Sequence, residues 1–251
     1  LKRVKKLSPL AVVSLLRELR RGIGDRRPLG IAGARELVPL LARELRDGGD
    51  ASAVVEDRVE GLAVLVWLGA ADEERLRAAS RAGIPIIAVT DAASVPYVLA
   101  ADLVRVPPGQ GFPVEAIADA IASRLGEEAT VLAARLPVLR PAVSRALIAR
   151  ASKRNALISA AVFIPGVDMP ILTLNQIRLV MRLAVAHGEA LDRHRAGELF
   201  GVVGAGFGFR AIAREVLDLV PVAGWAVKGG VAYAGTKAIG EAAVRYFEAR
   251  R

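Results

Sequence analysis

From residue 28 to residue 126 the chain alternates short unbroken runs of Val, Ile, Leu and Ala with longer stretches of helical period, and no other feature restricts the fold as strongly. The runs are PLGIA, SAVVE, LAVLVWL, IPIIAV and DLVRV. Among them lie ARELVPLLARELRD, DEERLRAASRAG and VEAIADAIASRL, with a further short helix expected near Ser94 to Ala100. A strand with one wet face would alternate polar and apolar residues, so unbroken runs imply strands covered on both faces. Helices between successive strands supply that cover, together with the crossover that parallel pairing demands. The pattern predicts an α/β fold, a small parallel doubly wound sheet over residues 28–126.

Beyond Gly126 the runs stop. Prolines at 137, 141, 165, 170 and 221 cut the remainder into helices, roughly 127–136, 141–164, 170–187, 192–218 and 225–248, because proline removes a helical N–H and crowds the preceding turn. An all-α domain of helical hairpins is expected over 127–251, with two similar turns, FIPGVDMP and LVPVAGW. Near the start, Ser8-Pro9 reads as an N-cap and first-turn proline. Leu10, Val12, Val13, Leu16 and Leu19 then recur at helical spacing up to Gly22, so residues 1–27 are expected to form a basic amphipathic helix and its loop.

Charge is spread unevenly along this order. Residues 1–30 carry nine Lys or Arg against two Asp or Glu, residues 31–126 nine against fourteen, and residues 127–251 seventeen against ten. Basic ends around an acidic middle suit an anionic membrane surface, nucleic acid or an acidic partner, or else form a solvated arginine-rich surface. Nucleic acid is not expected, because aromatic residues that could stack on bases make up 4% of the chain and no recognition element is present. Without cysteine, and with only His187 and His194 as histidines, there is no disulfide framework and no thiolate or histidine-cluster metal site, so neither metal nor cofactor is expected. Leu1 to Lys6 is basic, but the apolar run after it is broken by Arg17 and Glu18 and lacks a small-residue cleavage site. A cytoplasmic chain is expected, and its start at leucine implies a natural N-terminus further upstream.

Ligands of a parallel sheet bind outside the carboxyl ends of its strands. Gly30 and Gly33, Asp57, Gly69 and Asp72, Thr90 and Asp91, and Gly109 with Gly111 fall there, with Gly30, Gly33, Asp57 and Asp91 as the candidate ligand crevice. The same residues also fit ordinary strand-to-helix turns, in which glycine supplies a positive φ and aspartate caps a helix. A phosphate loop would need Gly-Lys-Ser/Thr where this chain has Arg35-Glu36-Leu37. Leucine cannot hold magnesium and glutamate repels phosphate, which leaves the helix after Gly33 a weak anion capacity at most. GAGFGF, from Gly204, imitates a dinucleotide fingerprint but has Phe209 in place of its third glycine. Gly197, Gly201, Ala205 and Gly208 instead recur at spacings of four, four and three, a small-residue stripe for close helix packing.

A spanning helix needs about 18–20 apolar residues. The uncharged intervals are thirteen residues between Arg154 and Asp168, eleven between Glu198 and Arg210 and nine between Asp218 and Lys228, so none of these is a simple transmembrane segment. A shallow hairpin is compatible, with the tips at Phe163, Pro165, Asp168, Pro170, Pro221 and Trp225 resting on lipid. Asp168 is expected to cap the second helix of the FIPGVDMP turn, not to act as an acid.

Residues Arg154 to Phe247 carry N-x₉-PG-x-D-x-P, LTxxQ and a glycine-rich helix leading to VPxxGW and YxGT, in that order. This half of the chain resembles the helical domain of unknown function 697, found after Era-like GTPase domains and in YcjF-type inner-membrane proteins. The resemblance implies that the α/β domain is GTPase-like and that the helical domain associates with a membrane. The α/β part departs from a GTPase at every motif: Asp57-Arg-Val-Glu-Gly61 replaces DxxG, and Val89-Thr90-Asp91 stands where NKxD would be. The resulting expectation is a non-enzymatic, membrane-associated interaction or scaffolding protein with a nucleotide-incompetent GTPase-like domain. Its expected partners are an anionic membrane surface or a membrane protein on the inner face of the cell membrane, or further copies of itself; the alternative is a nucleotide-dependent enzyme with an atypical phosphate loop.

Overall fold

The structure, a computed structural model, describes residues 26–106, 109, 111–161, 169–189 and 224–250, with only the backbone at 169–170 and 224–226. By their contacts the residues divide into an α/β unit, Ile23–Ala146, and a helical unit from Leu147 onward. The α/β unit runs β1 (Leu29–Gly33), α1 (Val38–Arg46), β2 (Val54–Glu56), β3 (Val64–Leu68), α2 (Glu73–Arg81), β4 (Ile86–Thr90), β5 (Leu103–Arg105), α3 (Val114–Leu125) and α4 (Ala129–Arg135). The sheet order is β2-β1-β3-β4-β5 and every pairing is parallel, with Ala32 opposite Trp67 and Trp67 opposite Ala88. This is the 2-1-3-4-5 order of flavodoxin-like doubly wound sheets, whose direction of winding reverses between β1 and β3.

Right-handed crossovers place α1, which leads from β1 outward to β2, and α2, which leads the other way from β3 to β4, on opposite faces. On the α2 face, Ala32, Leu65, Trp67, Ile86 and Ala88 pack with Leu76 and Ala79 of the helix and with Leu62 and Val95 from loops. Alternation turns Leu29, Ile31, Val64, Val66, Leu68, Ile87 and Val89, all buried, toward the side of α1 and α3. Burial of each such Leu or Ile contributes about 1.5–3 kcal/mol. The link from β2 to β3 has no helix; Leu62, buried against Gly30, plugs that part of the face.

Local signals explain the helix ends. Asp72 accepts the Arg75 N–H at 3.2 Å to cap α2, Glu73 and Glu74 occupy its positive end, and Gly83 follows it at φ +69°. The helix expected near Ser94 to Ala100 is not formed: residues 91–99 are a bend, a turn and irregular backbone, and only a single 3₁₀ turn, Ala100–Asp102, follows. Pro96 disfavours a helical Val95, Tyr97 lies at φ +65° and Leu99 is extended. The division between units lies after residue 146, not at the expected Gly126, because α4 is tied back to the sheet. Asp50 N–H donates to the Arg135 carbonyl at 2.8 Å, and the Arg135 guanidinium donates to the Asp50 carboxylate at 2.9 Å and to the Arg26 carbonyl at 3.1 Å.

The helical unit contains α5 (Arg140–Ala161, whose first turns belong to the α/β unit), α6 (Met169–Ala186) and α7 (Gly224–Glu248). These match the segments expected at 141–164, 170–187 and 225–248, whereas 192–218 lies outside the described residues. Gly229 of α7 faces Ala156 and Ala160 of α5, and Gly240 faces Ile148 of α5 and Leu179 of α6. With the rings of His187 and Phe247 5.6 Å apart, α7 runs parallel to α6 and antiparallel to α5. The end of α5 and the starts of α6 and α7 therefore share one end of the unit. Among the described residues no helix is long and apolar enough to cross a membrane.

Candidate functional site

The four crevice candidates do not converge. Gly30 is buried in β1, where a Cβ would stand 2.3 Å from Leu62 Cδ1, so its role is to admit a neighbouring side chain. Gly33 has φ +116°, and a Cβ there would meet the Leu68 carbonyl oxygen at 2.1 Å. The backbone after β1 thus closes onto β3 at the point where winding reverses, helped by Ala34 N–H donating to Leu68 O at 2.9 Å. Asp57, at φ +56°, gives its N–H to Ile31 O and its carboxylate to Arg75 at 2.9 Å, and that guanidinium lies 5.4 Å from the Trp67 ring centre. Asp91 lines a cleft, beside Thr90, whose hydroxyl accepts Ala92 N–H at 3.2 Å.

The turn after Gly33 uses several of its amides internally. Leu37 and Val38 N–H both donate to Ala34 O, at 3.0 and 3.1 Å, and Pro39 has no N–H to offer. An anion site at a helix N-terminus depends on free amides pointing outward. No side chain caps α1, its first turn has no acidic residue, and Arg35, Glu36 and Leu37 are exposed.

The cleft that Asp91 does face is an open groove of about 990 Å³. One wall is the flank of α1 from Leu37 to Asp47, the other is Phe112 and Val114 at the start of α3, and Leu68 and Val89 form the floor. Leu37 and Leu40 are 40% and 54% exposed, although the core stripe of the same helix, Val38, Leu41 and Leu45, is buried. Sequence reasoning passed over these two leucines; the signal was an apolar pair at positions 37 and 40, one position ahead of the core stripe.

In the helical unit the motif residues come together. Asn155 Nδ2 donates to Thr236 Oγ1 at 2.9 Å, Gln176 Nε2 donates to the same oxygen at 3.2 Å, and Asn175 Nδ2 donates to Asn155 Oδ1 at 2.9 Å. Asn155, Gln176 and Thr236 are buried, as are Ser152 and Ser159 on the Asn155 face of α5 and Thr173 on α6. Two of its amide donors point at the one shared hydroxyl and the third at the Asn155 carbonyl oxygen, so the layer ties α5, α6 and α7 together. Sequence reasoning had these residues as separate motif letters. The serines at three before and four after Asn155 were the visible hint of a polar helix face.

The end shared by α5, α6 and α7 differs in character. Leu157 is 71% and Ile171 48% exposed there, and Lys153 and Arg154, one turn away, are exposed too. The turn sequences FIPGVDMP and LVPVAGW adjoin these helix starts in the chain. Phe163, Pro165, Asp168 and Pro221 lie outside the described residues, and so do Gly197, Gly201, Ala205 and Gly208. Pro170 and Trp225 lie in the first turns of α6 and α7. At the opposite end His187, closing α6, is held below its ordinary pKa by burial, partly offset by Glu248 and Glu189. Among the described residues no group of three or more His, Asp or Glu could hold a metal ion. No family model matches the sequence, and no match was found among curated proteins or among solved structures.

Proposed function

We propose that this chain is a non-enzymatic interaction or scaffolding protein that associates with the inner face of a membrane, with a GTPase-like α/β domain that does not hold a nucleotide. The observation that carries the membrane reading is the shared end of α5, α6 and α7. Exposed Leu157 and Ile171 lie at this end, and exposed Lys153 and Arg154 stand one turn from Leu157 on α5, the pairing of apolar and basic groups that suits an anionic lipid surface. A tip facing only water would ordinarily be polar. The reading of the α/β unit is supported by the β1–α1 turn, which uses its Ala34, Leu37 and Val38 amides internally and lacks the lysine and hydroxyl that triphosphate binding requires.

The test is flotation with vesicles of neutral and of anionic lipid. The wild type should float with anionic vesicles, and a Leu157→Ser, Ile171→Ser variant should not, since both positions are exposed and the change leaves the core intact. A wild type that stays with neither kind of vesicle refutes the membrane reading. Separately, calorimetry with magnesium and GTP or ATP should show binding no tighter than about 1 mM, worth about 4 kcal/mol; micromolar binding refutes the nucleotide-incompetent reading.

A further inference from the structure

The groove beside α1 bears on neither membrane nor nucleotide. Its apolar floor and walls are bordered by Glu44 on α1, by Asp47 just past its end and by Asp91 after β4, with Arg43 as the one basic residue among the described lining residues. Among the described residues none of these three carboxylates makes an ion pair, and Asp91 accepts the Thr90 hydroxyl at 3.5 Å. Leu37, Leu40, Glu44 and Asp47 follow one another at spacings of three, four and three along one helix flank. The α1 wall is therefore apolar at one end and acidic at the other.

We propose that this groove docks a basic amphipathic helix of a partner protein. The charge of the lining selects a basic partner, since an acidic one would meet three unmatched carboxylates. A helix fits better than a strand, because the groove lies over the inner strands β3 and β4 and exposes no sheet edge that an extended peptide could extend. From Leu37 to Asp47 the wall is about 15 Å long, enough for about ten residues of helix. Leu37, Leu40 and Phe112 would then receive apolar residues spaced by three and four, with basic residues reaching Glu44, Asp47 and Asp91. A compact small ligand is less well served: Thr90, the buried polar side chain of the lining, already accepts a backbone N–H.

Fluorescence anisotropy of the full chain with labelled 15-residue peptides tests this. The probes are one with leucine on one helical face and arginine on the other, one with glutamate in place of arginine, and one with the Leu/Arg sequence scrambled to remove amphipathicity. The Leu/Arg peptide should bind at least about tenfold tighter than either control. Leu37→Gln with Leu40→Gln should weaken it by about tenfold or more with unchanged circular dichroism and Tm, both side chains being exposed. Glu44→Gln with Asp47→Asn should weaken it and flatten its salt dependence. Failure of the Leu/Arg peptide to bind, equal binding of the scrambled peptide, or full binding to the leucine variant would each overturn the proposal.

Discussion

Thr236→Val replaces one hydroxyl by a methyl group at the centre of the helical unit, so it creates neither a cavity nor a clash. It removes the oxygen that accepts both Asn155 Nδ2, at 2.9 Å, and Gln176 Nε2, at 3.2 Å. All three residues are buried, and water cannot replace the lost acceptor. A buried donor that loses its acceptor costs about 1–3 kcal/mol, and two donors lose this one, so the loss should be up to about 6 kcal/mol and at least about 1, out of a typical total of about 5–15. Urea unfolding followed by far-UV circular dichroism measures it as a fall in midpoint at constant slope. The partner experiment replaces the layer as a whole, Asn155→Leu with Gln176→Leu and Thr236→Val. This removes both stranded donors, and Asn175, which loses its Asn155 acceptor, is only half-buried, so the triple variant should recover much of the loss, because replacing both partners of a buried polar pair is far cheaper than removing one. A Thr236→Val loss below about 0.5 kcal/mol, or a triple variant whose loss is the sum of the three single losses, would show that the layer is not a coupled network.

Gly33→Ala should cost about 3 kcal/mol or more, since its Cβ would meet backbone at 2.1 Å in a positive-φ residue, whereas Gly30→Ala, which meets the movable end of Leu62, should cost less; thermal unfolding ranks the two. Burial lowers the His187 pKa, so its contribution to stability is fully present above its unfolded value of about 6.5 and is lost as pH falls below it; His187→Gln should flatten that limb of a stability–pH curve. The Ser52 hydroxyl and the Arg135 guanidinium hold the Asp50 pKa down at about 2, so stability present above about pH 4 should be lost as pH falls toward 2. An Asp50→Asn variant should lack that part of the acid loss, as measured by urea midpoints across the range.

The sequence by itself determined the elements. PLGIA, LAVLVWL and IPIIAV are strands because unbroken β-branched and aliphatic runs fit only a sheet covered on both sides, and the helices of the described C-terminal part end close to the positions that proline marks. These are consequences of periods of two and 3.6 residues, which neighbouring residues encode locally. Only the tertiary structure decided what each residue meets. It showed Gly30 and Gly33 making room for Leu62 and for the Leu68 carbonyl, Asp57 turning to Arg75, and Arg135 drawing α4 back to the sheet at Asp50. It also brought Asn155, Gln176 and Thr236, separated by up to 81 positions, onto one hydroxyl, and left Leu37 and Leu40 bare beside three unmatched carboxylates. A run of residues shows which groups are present and at what period. Which groups approach within 3 Å depends on how distant elements close on one another, and that closure is set by the packing of the whole core.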